Sequence, residues 1–333
     1  MITLDLQDLA AQLGFDAIGV TRAEAYEETE RHIRDRRARG LFGRLKFTIA
    51  QPEVSCHPEL LLGDARSVIS VALSYWHPEP ARPAGFGRLP RYTWSDGYAE
   101  LRERLDQLGR ALGGSYRVLV DANQHVDREA AVRSGVGFYG KNTMVITRRH
   151  GSWVVLGTLV TTVAIEPTDP MRAGCGSCTR CIDACPTDAL DEPGVLDATR
   201  CLSYWTQVPE ATPVDYRAPL GAQVYGCDIC QDVCPWNTGV EGRRSALPVG
   251  AAHVDLVEML AVDDAGLLEG LSRLYVPRND PRWLRRNVLV ALGNVGAADE
   301  STRAALAPYA DGEDELLAEH ASWAIGRLAD RCS

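Results

Sequence analysis

The sequence predicts an α+β protein in three parts, and three observations support this division. Apolar strand-like runs and amphipathic helical stretches alternate over residues 1–165, without the strict strand–helix–strand rhythm of a parallel sheet. Eight of the ten cysteines fall within residues 166–245. From Asp255 onwards the apolar residues follow helical spacing. We therefore expect a mixed α+β domain over 1–165, a cysteine-rich module over 166–245 and an α-helical domain over 246–333.

Apolar patterning predicts the elements of the N-terminal domain. Ser67–Tyr75 is a continuous β-prone run and predicts a buried strand. A second helix ends in the basic run Arg31–Arg39, which is either a solvated face or a nucleic-acid contact. The predicted elements are helices over 4–13, 24–37 and 100–112, strands over 16–21, 67–75 and 117–121, a loop over 76–95, and a glycine-punctuated hairpin pair over 135–147 and 151–163.

Two cysteine runs dominate the central module. The first has the spacing C-x2-C-x2-C-x3-C-P, which is that of bacterial ferredoxins. The second has the same spacing, except that its first cysteine is displaced upstream to Cys201. Eight thiolates suffice for two four-iron clusters, and in two-cluster ferredoxins the fourth cysteine of a run ligates the other cluster. The predicted sets are Cys175, Cys178, Cys181 and Cys234 for one cluster, and Cys185, Cys201, Cys227 and Cys230 for the second.

Zinc and disulfides are the alternative interpretations of these cysteines. Zinc sites usually combine two C-x-x-C pairs across a longer spacer, without a run of three cysteines and without a proline after the last ligand. Disulfides require an oxidising compartment, to which no feature of the sequence points. Iron–sulfur ligation is therefore the favoured prediction. Cys56 and Cys332 fall outside both sets and are expected to be ordinary thiols.

Similar apolar patterns recur in the C-terminal region. Trp283–Gly293 and Leu316–Gly326 are offset by 33 residues and match at their apolar positions. A period of this size is typical of stacked helical repeats of the HEAT type. Two copies are too few for a free-standing solenoid, so this region is expected to pack on the cysteine-rich module. The alternative is that the two segments are simply similar core helices.

Composition restricts the class of protein. The apolar content of 45% and the charged content of 24% are those of an ordinary globular chain. No export signal and no run of about 20 apolar residues is found, so we expect a cytoplasmic protein without membrane contact. We further expect a monomer. Neither a dinucleotide-binding glycine motif nor a P-loop occurs. The net charge of −10 argues mildly against a nucleic-acid partner but is compatible with a local basic face.

Several motifs together resemble one enzyme family. The two cysteine blocks would fit many ferredoxins, but the accompanying motifs are more specific. They are VDANQHVDREAA (120–131), GFYGKNTMVI (137–146), GSWVVLGTL (151–159), RCLSYWT (200–206), YGCDICQDVCPWN (225–237) and WLRRNVLVALGNVG (283–296). On these residues the chain resembles the epoxyqueuosine reductases, cobalamin-dependent iron–sulfur enzymes of tRNA modification. The resemblance implies a nitroreductase-like cobalamin domain, a two-cluster ferredoxin module and HEAT-like repeats.

The resemblance also implies a reaction. The family reduces the epoxide of epoxyqueuosine at the wobble position of tRNA anticodons to the alkene of queuosine, with electrons passed through the clusters to cobalamin. This takes two electrons and at least one proton, so a positioned acid lowers the barrier. Asp121 matches the proton-donor aspartate of the family, and burial would have to raise its pKa for that role. For an unplaced aspartate, capping a turn after the strand would be the simpler interpretation.

The cobalamin site is predicted from the resemblance alone. The residues implied to line the corrin are Gly140, Lys141, Asn142, Thr143, Val145, Leu156 and Ser203. No D-x-H-x-x-G motif occurs, so no protein histidine is expected on the cobalt. The segments ANQHV (122–126) and TWSDGYA (93–99) depart from the family pattern, and Asp127 and Arg128 are expected to be structural or supporting residues.

The expected partners are the anticodon stem-loop of tRNA and an external electron donor. A tRNA requires cationic residues on one face. Candidate contacts are Arg243, Arg244, Arg278, Arg282, Arg285 and Arg286, although any one of them could be a solvated surface residue. Two rival functions are a cobalamin-dependent reductase of a small molecule, similar to the reductive dehalogenases, and an electron-transfer ferredoxin.

Overall fold

The computed structural model describes residues 6–331, apart from the side chain of Glu241, and its N-terminal part is built on a four-stranded antiparallel sheet. The strands lie in the order β1–β2–β7–β4. The helices of this part are α1 (Leu6–Gln12), α2 (Glu27–Ala38), α3 (Pro52–Ser55), α4 (Gly97–Leu112) and α5 (Asp127–Arg133). The strands are β1 (Ala17–Arg22), β2 (Ser67–Ser74), β3 (Phe86–Arg88), β4 (Tyr116–Leu119), β5 (Phe138–Tyr139), β6 (Val145–Ile146) and β7 (Val154–Thr161).

The central strands β2 and β7 are buried along their whole length. Successive side chains of a strand point to opposite faces of the sheet, so both faces need a cover. Ile69 and Val71 of β2 pack in the same core as Leu101 and Leu105 of α4. Val68 packs on the other face, with residues of α2, α3 and α5. Burial on both faces explains why these strands are continuous apolar runs.

The predicted N-terminal elements recur with shifted ends, and the short helices α3 and α5 were not predicted. Helix α4 begins at Gly97, three residues earlier than predicted, because the Asp96 carboxylate accepts a hydrogen bond from the Ala99 amide at 3.0 Å. The predicted loop over 76–95 contains β3, which pairs with a strand in the C-terminal part. Of the predicted hairpin pair, only β5 and β6 form a hairpin, whereas 151–163 supplies the single strand β7. Residues 4 and 5 of the first predicted helix lie outside the described residues.

The cysteine-rich module has short helices joined by turns. Its helices are α6 (Arg180–Asp183), α7 (Leu202–Trp205), α8 (Val214–Leu220) and α9 (Ile229–Asp232). The C-terminal part consists of β8 (His253–Asp255), α10 (Leu256–Ala261), α11 (Asp264–Gly270), α12 (Arg282–Val295), α13 (Glu300–Ala310) and α14 (Glu315–Asp330). None of the helices between residues 6 and 331 combines the length and the apolar character that a membrane crossing would need.

The two similar helical segments form neighbouring core helices. Leu284, Val288 and Ala291 of α12 are buried, and so are their counterparts Leu317, Ala321 and Ala324 of α14. The two helices approach closely, because a Cβ on Gly293 would lie 2.8 Å from the Cα of Ala324. The matching glycine of α14, Gly326, faces open space. The sequence similarity therefore reproduces the apolar core positions but not the role of the glycine.

Two arginines of α12 are core residues and not surface cations, so their prediction as tRNA contacts is wrong. Arg286 is fully buried and donates to the carbonyls of Trp205 and Val208, both at 2.7 Å, and to that of Glu210. Arg285 is 7% exposed and donates to Asp264 and Tyr309. Arg286 thereby joins the C-terminal helices to the segment that follows α7.

Replacing Arg286 with methionine should destabilise the chain by about 3 kcal/mol or more, because the carbonyls of Trp205, Val208 and Glu210 would lose a charged donor, the first two in buried hydrogen bonds. Chemical denaturation under anaerobic conditions, followed by circular dichroism, measures this change. Arg327→Met is the matched control, since Arg327 is exposed on α14. Equal unfolding midpoints for the two variants would show that the hydrogen bonds of Arg286 contribute little to stability.

Candidate active site

The thiols of the first predicted cysteine set lie together. Cys175 and Cys234 are close enough to Cys181 to raise the pKa of its thiol, in addition to the larger effect of burial. Burial also raises the pKa of Cys234, with further increases from Cys175 and Cys178. Cys234 thus joins the first run, although it is the last cysteine of the second run in sequence.

The second predicted set also converges. Burial raises the pKa of Cys227 to about 12, and Cys201 and Cys185 add to the shift. The pKa of Cys230 is raised well above its ordinary value by burial, then by Cys227 and Cys201. Cys181 of the first set contributes to the same shift, so the two sets are neighbours. Thiols in this environment become thiolates only when a metal supplies compensating charge.

The described cysteines, Cys56 included, are all free thiols, and no disulfide forms among them. Cys56 is fully buried next to α3, and Cys332 lies outside the described residues. Between residues 6 and 331, no three cysteine, histidine or carboxylate side chains converge as they would around a single metal ion. A four-iron cube, by contrast, arranges its four thiolates around a group of atoms.

A cavity of about 430 Å³ lies between the N-terminal sheet and the second cysteine set. It brings together most of the residues that the sequence singles out. The predicted residues that line it are Asp121, Asn142, Thr143, Val145, Leu156 and Ser203, along with Cys185, Cys201, Cys227 and Cys230. The predicted proton donor and the predicted second cluster therefore share one cavity.

Gly140 and Lys141 are placed elsewhere. The Lys141 ammonium donates to the carbonyls of Gly176 and Cys178, at 2.8 and 2.9 Å, and so holds the loop of the first cysteine set. A Cβ on Gly140 would lie 2.5 Å from the Asn142 side chain, so only glycine fits the tight turn after β5. These two residues shape the hairpin and the cysteine loop and do not line the cavity.

The turn between β5 and β6 connects the second cysteine set to the cavity wall. Asn142 is buried, and its amide donates to the Cys230 carbonyl at 3.4 Å. Thr143 has a positive φ of 65°, and its carbonyl accepts a hydrogen bond from Arg128 at 3.4 Å. A non-glycine residue in this conformation is uncommon and is often found at functional sites.

Asp121 lies two residues beyond the end of β4, in the left-handed conformation with φ +50°. Its side chain is exposed, so the protein alone does not supply the burial that a proton donor was expected to need. The loop after it is fixed by buried His125 and by a hydrogen bond from the Val126 amide to the Ser55 carbonyl at 3.0 Å. The carboxyl group is thus presented to the cavity from an anchored loop.

Asp127, Arg128 and Tyr98 line the same cavity as Asp121. Burial raises the pKa of Asp127, and Arg128 opposes that shift. The pKa of Tyr98 is raised first by burial and then by Asp121 and Asp127, so its hydroxyl stays protonated. Asp127 and Arg128, expected to be supporting residues, line the cavity directly.

Sequence reasoning missed a group of tyrosines in the cavity wall. Burial is the main cause of a raised pKa in each, so their hydroxyls remain hydrogen-bond donors at neutral pH. They are Tyr75, Tyr92, Tyr98 and Tyr225. The density of aromatic residues between 75 and 98 was an available signal, but without a visible strand or helix pattern it indicated only a loop.

Two family models match separate parts of the chain. Residues 174–237 match a model described as a 4Fe–4S double cluster binding domain, which contains all eight predicted ligand cysteines. Residues 56–127 match a model described as epoxyqueuosine reductase QueG, DUF1730, and this segment ends just beyond Asp121. The matches thus include Asp121 and the cysteines of the second set, which line the cavity from opposite parts of the chain.

Curated relatives and solved structures extend the similarity to nearly the whole chain. The epoxyqueuosine reductase of Lactococcus garvieae is 33% identical, over 98% of this chain and 96% of that protein. A crystal structure of an epoxyqueuosine reductase with a tRNA-TYR epoxyqueuosine-modified tRNA stem loop superposes with a TM-score of 0.87 at 32% identity, covering 98% of this chain and 90% of that one. The Bacillus subtilis enzyme, with its catalytic loop swung out of the active site, gives a TM-score of 0.88 at 31% identity, covering 97% and 89%. The chain belongs to the epoxyqueuosine reductase family.

Proposed function

We propose that this protein reduces the epoxide of epoxyqueuosine in a tRNA anticodon loop to the alkene of queuosine. The observation that carries the proposal is the cavity shared by Asp121 and the second cysteine set. Family membership favours this reaction over a small-molecule reductase or a pure electron carrier. We place the reaction in the cytoplasm, where its tRNA substrate is found.

We assign the cavity to cobalamin. One wall is an apolar strand surface that includes Val145, Val154 and Leu156, and such a wall suits the flat face of a corrin. Asn142 and Ser203 add polar groups that would orient its edge. When bound there, the cobalt would supply a low-valent centre for two-electron reduction, while the protein orients the reactants. We propose accordingly that residues 1–165 form a cobalamin domain, of the nitroreductase-like fold that the family resemblance implies.

The two cysteine sets define a route for electrons. Cys185, Cys201, Cys227 and Cys230 line the cavity, whereas the first set does not. Cys181 and Cys230 are close enough to interact, so the clusters they ligate would be neighbours. An external donor would therefore reduce the cluster of the first set, and the cluster of the second set would pass electrons to the cavity. This supports a two-cluster ferredoxin module over residues 166–245.

We propose Asp121 as the proton donor. Removing an epoxide oxygen as water consumes two electrons and two protons, and the carboxyl at the cavity wall can give a proton to the leaving oxygen. Substrate and cofactor would cover Asp121 and exclude water from its carboxyl group. Arg128 and Tyr98, on the same wall, would hold the substrate oxygen or the carboxylate. In the Bacillus subtilis relative the catalytic loop has been observed swung out of the active site, whereas here the corresponding carboxyl group lies at the cavity wall.

The substrate would lie across the C-terminal helices, which we assign to a HEAT-like domain over residues 246–333. Of the arginines first considered, Arg244 and Arg278 are exposed. Arg282 is also exposed, but it forms ion pairs with Asp280 and Asp314. An acidic chain that binds RNA through few cations depends strongly on salt. The interface is therefore expected to be a small basic patch on an otherwise acidic surface.

The reconstituted protein, with cobalamin and a low-potential reductant, is expected to convert epoxyqueuosine-containing tRNA to queuosine-containing tRNA, detected by nucleoside mass spectrometry. Binding should weaken by about 20- to 40-fold between 50 and 200 mM salt if three phosphates are contacted. Unmodified tRNA serves as the substrate control. Failure to form queuosine with fully loaded enzyme would refute the proposal.

A further inference from the structure

Two exposed aromatic side chains meet at the cavity that contains Asp121. Phe47 is 42% exposed and Tyr275 is 55% exposed, and both line this cavity. Their ring centroids are 5.9 Å apart, with an angle of 67° between the ring planes. One belongs to the N-terminal part of the chain and the other to the segment before α12. The proposed reaction uses neither of them.

The fold holds the backbone of Tyr275 while it leaves the ring exposed. The buried Tyr225 hydroxyl donates to the Tyr275 carbonyl and accepts a hydrogen bond from the Tyr275 amide, both at 3.0 Å. The flanking residues Leu274 and Val276 are buried. An exposed ring on a fixed backbone loses little conformational entropy when it binds a partner.

Phe47 is held in an unusual conformation on the facing segment. Its φ of +25° is rare for a bulky residue. The next residue is also fixed, because the Thr48 carbonyl accepts a hydrogen bond from the Ser55 hydroxyl at 2.5 Å. Backbone strain of this kind is maintained where the position of a side chain matters for function. Here it directs a large apolar ring to the rim of a cavity.

Unpaired cations accompany the two rings. Arg273 lines the cavity, Lys46 directly precedes Phe47, and Arg278 follows Tyr275 by three residues. All three are exposed, and in the part of the chain that the structure describes none of them forms a salt bridge. The chain as a whole is acidic, with a net charge of −10, so a cation that lines the cavity and two more that are close in sequence to its aromatic residues form a local exception.

We infer that Phe47 and Tyr275 form a stacking platform for an unpaired nucleobase of the RNA, adjacent to the nucleotide that enters the cavity. Lys46, Arg273 and Arg278 would neutralise the phosphates on either side of this base. Aromatic rings beside unpaired cations match a nucleotide, which has an apolar base face and a charged backbone. This inference rests on the proposed function and specifies how the loop is held.

Fluorescence of a labelled RNA tests the platform directly. The probe is a tRNA anticodon stem-loop with 2-aminopurine in place of the nucleotide on either side of the wobble position. Stacking on an aromatic ring quenches 2-aminopurine, so the wild-type protein should quench one of the two probes. Tyr275→Ala and Phe47→Ala should each reduce that quenching and weaken binding by about 5- to 150-fold, the range for loss of one base–aromatic stack.

Two further variants separate stacking from general damage. Tyr275→Phe keeps the aromatic face and should retain the quenching, with affinity within about twofold of wild type. Leu60→Ala removes an exposed apolar side chain that does not line the cavity, and should change nothing. Iron content and melting curves are compared for all variants, so that a folding defect is recognised.

The outcomes distinguish this inference from the function on which it rests. If wild-type enzyme forms queuosine and Tyr275→Ala neither loses quenching nor weakens binding, the platform is refuted and the reaction stands. If quenching depends on Tyr275 but no queuosine forms, the platform stands and the reaction does not. Unchanged RNA binding with slower reduction of the clusters by a flavodoxin would identify a docking site for the electron donor, which contradicts the inference.

Discussion

Replacing Asp121 with asparagine is expected to lower the rate of queuosine formation by about 10²- to 10⁴-fold, the contribution of a positioned general acid. Asparagine has the same shape and tolerates the left-handed conformation that Asp121 adopts, with φ +50°. It cannot give up a proton as a carboxyl group does. The variant should therefore keep its iron, its corrinoid and its affinity for the stem-loop, and lose only the chemical step.

Single-turnover measurements are the appropriate readout, because slow product release could hide a slower chemical step. Asp64→Asn is the matched control. Asp64 is an exposed aspartate with φ +59°, located in the turn before β2 and away from the cavity. Asp64→Asn should react at the wild-type rate. An Asp121→Asn enzyme that formed queuosine within about threefold of that rate would show that another group, such as Tyr98 or Asp127, supplies the proton.

The parts of the site that could be predicted are those encoded in local sequence. Ligand spacing within a cysteine run reflects the turns that bring the thiols to one cluster, so both sets could be assigned before the structure was known. The apolar run that becomes β4 ends just before Asp121, and a residue at the end of a strand is readily placed. The ligand assignment itself remains a prediction, although the structure brings each set together.

Features that depend on distant partners could not be predicted. The charge of Arg286 suggested a surface residue, but its partners are the carbonyls of Trp205 and Val208, about 80 positions away. The pairing of β3 with β8 could not be predicted either, because neither short segment has a strand pattern of its own and each becomes a strand only beside the other. Lys141 lies within a matched motif, yet its contacts with the loop of the first cysteine set depend on how two domains pack.

The predicted ligation of the second cluster by Cys201 leads to a further prediction, whose effect on queuosine formation is as large as that of Asp121→Asn. Cys201→Ala should remove the second cluster, lowering iron from about eight to about four atoms per chain. Queuosine formation should become undetectable, because the cavity would lose the cluster beside it. Cys201 is 26 positions upstream of Cys227, the next cysteine of its set, and yet it raises the pKa of Cys227. Iron analysis and electron paramagnetic resonance of the reduced protein measure the loss.

The same spectra test which cysteines belong together. If Cys234 crosses to the first set, Cys234→Ala and Cys178→Ala should lose the same signal, while Cys185→Ala and Cys201→Ala should lose the other. Cys56→Ala is the control, since Cys56 is a buried free thiol outside both sets. It should keep both signals and its activity. Loss of the same signal from Cys234→Ala and Cys230→Ala would mean that each run ligates its own cluster. That outcome would contradict the proposed route of electrons from the first cluster through the second to the cavity.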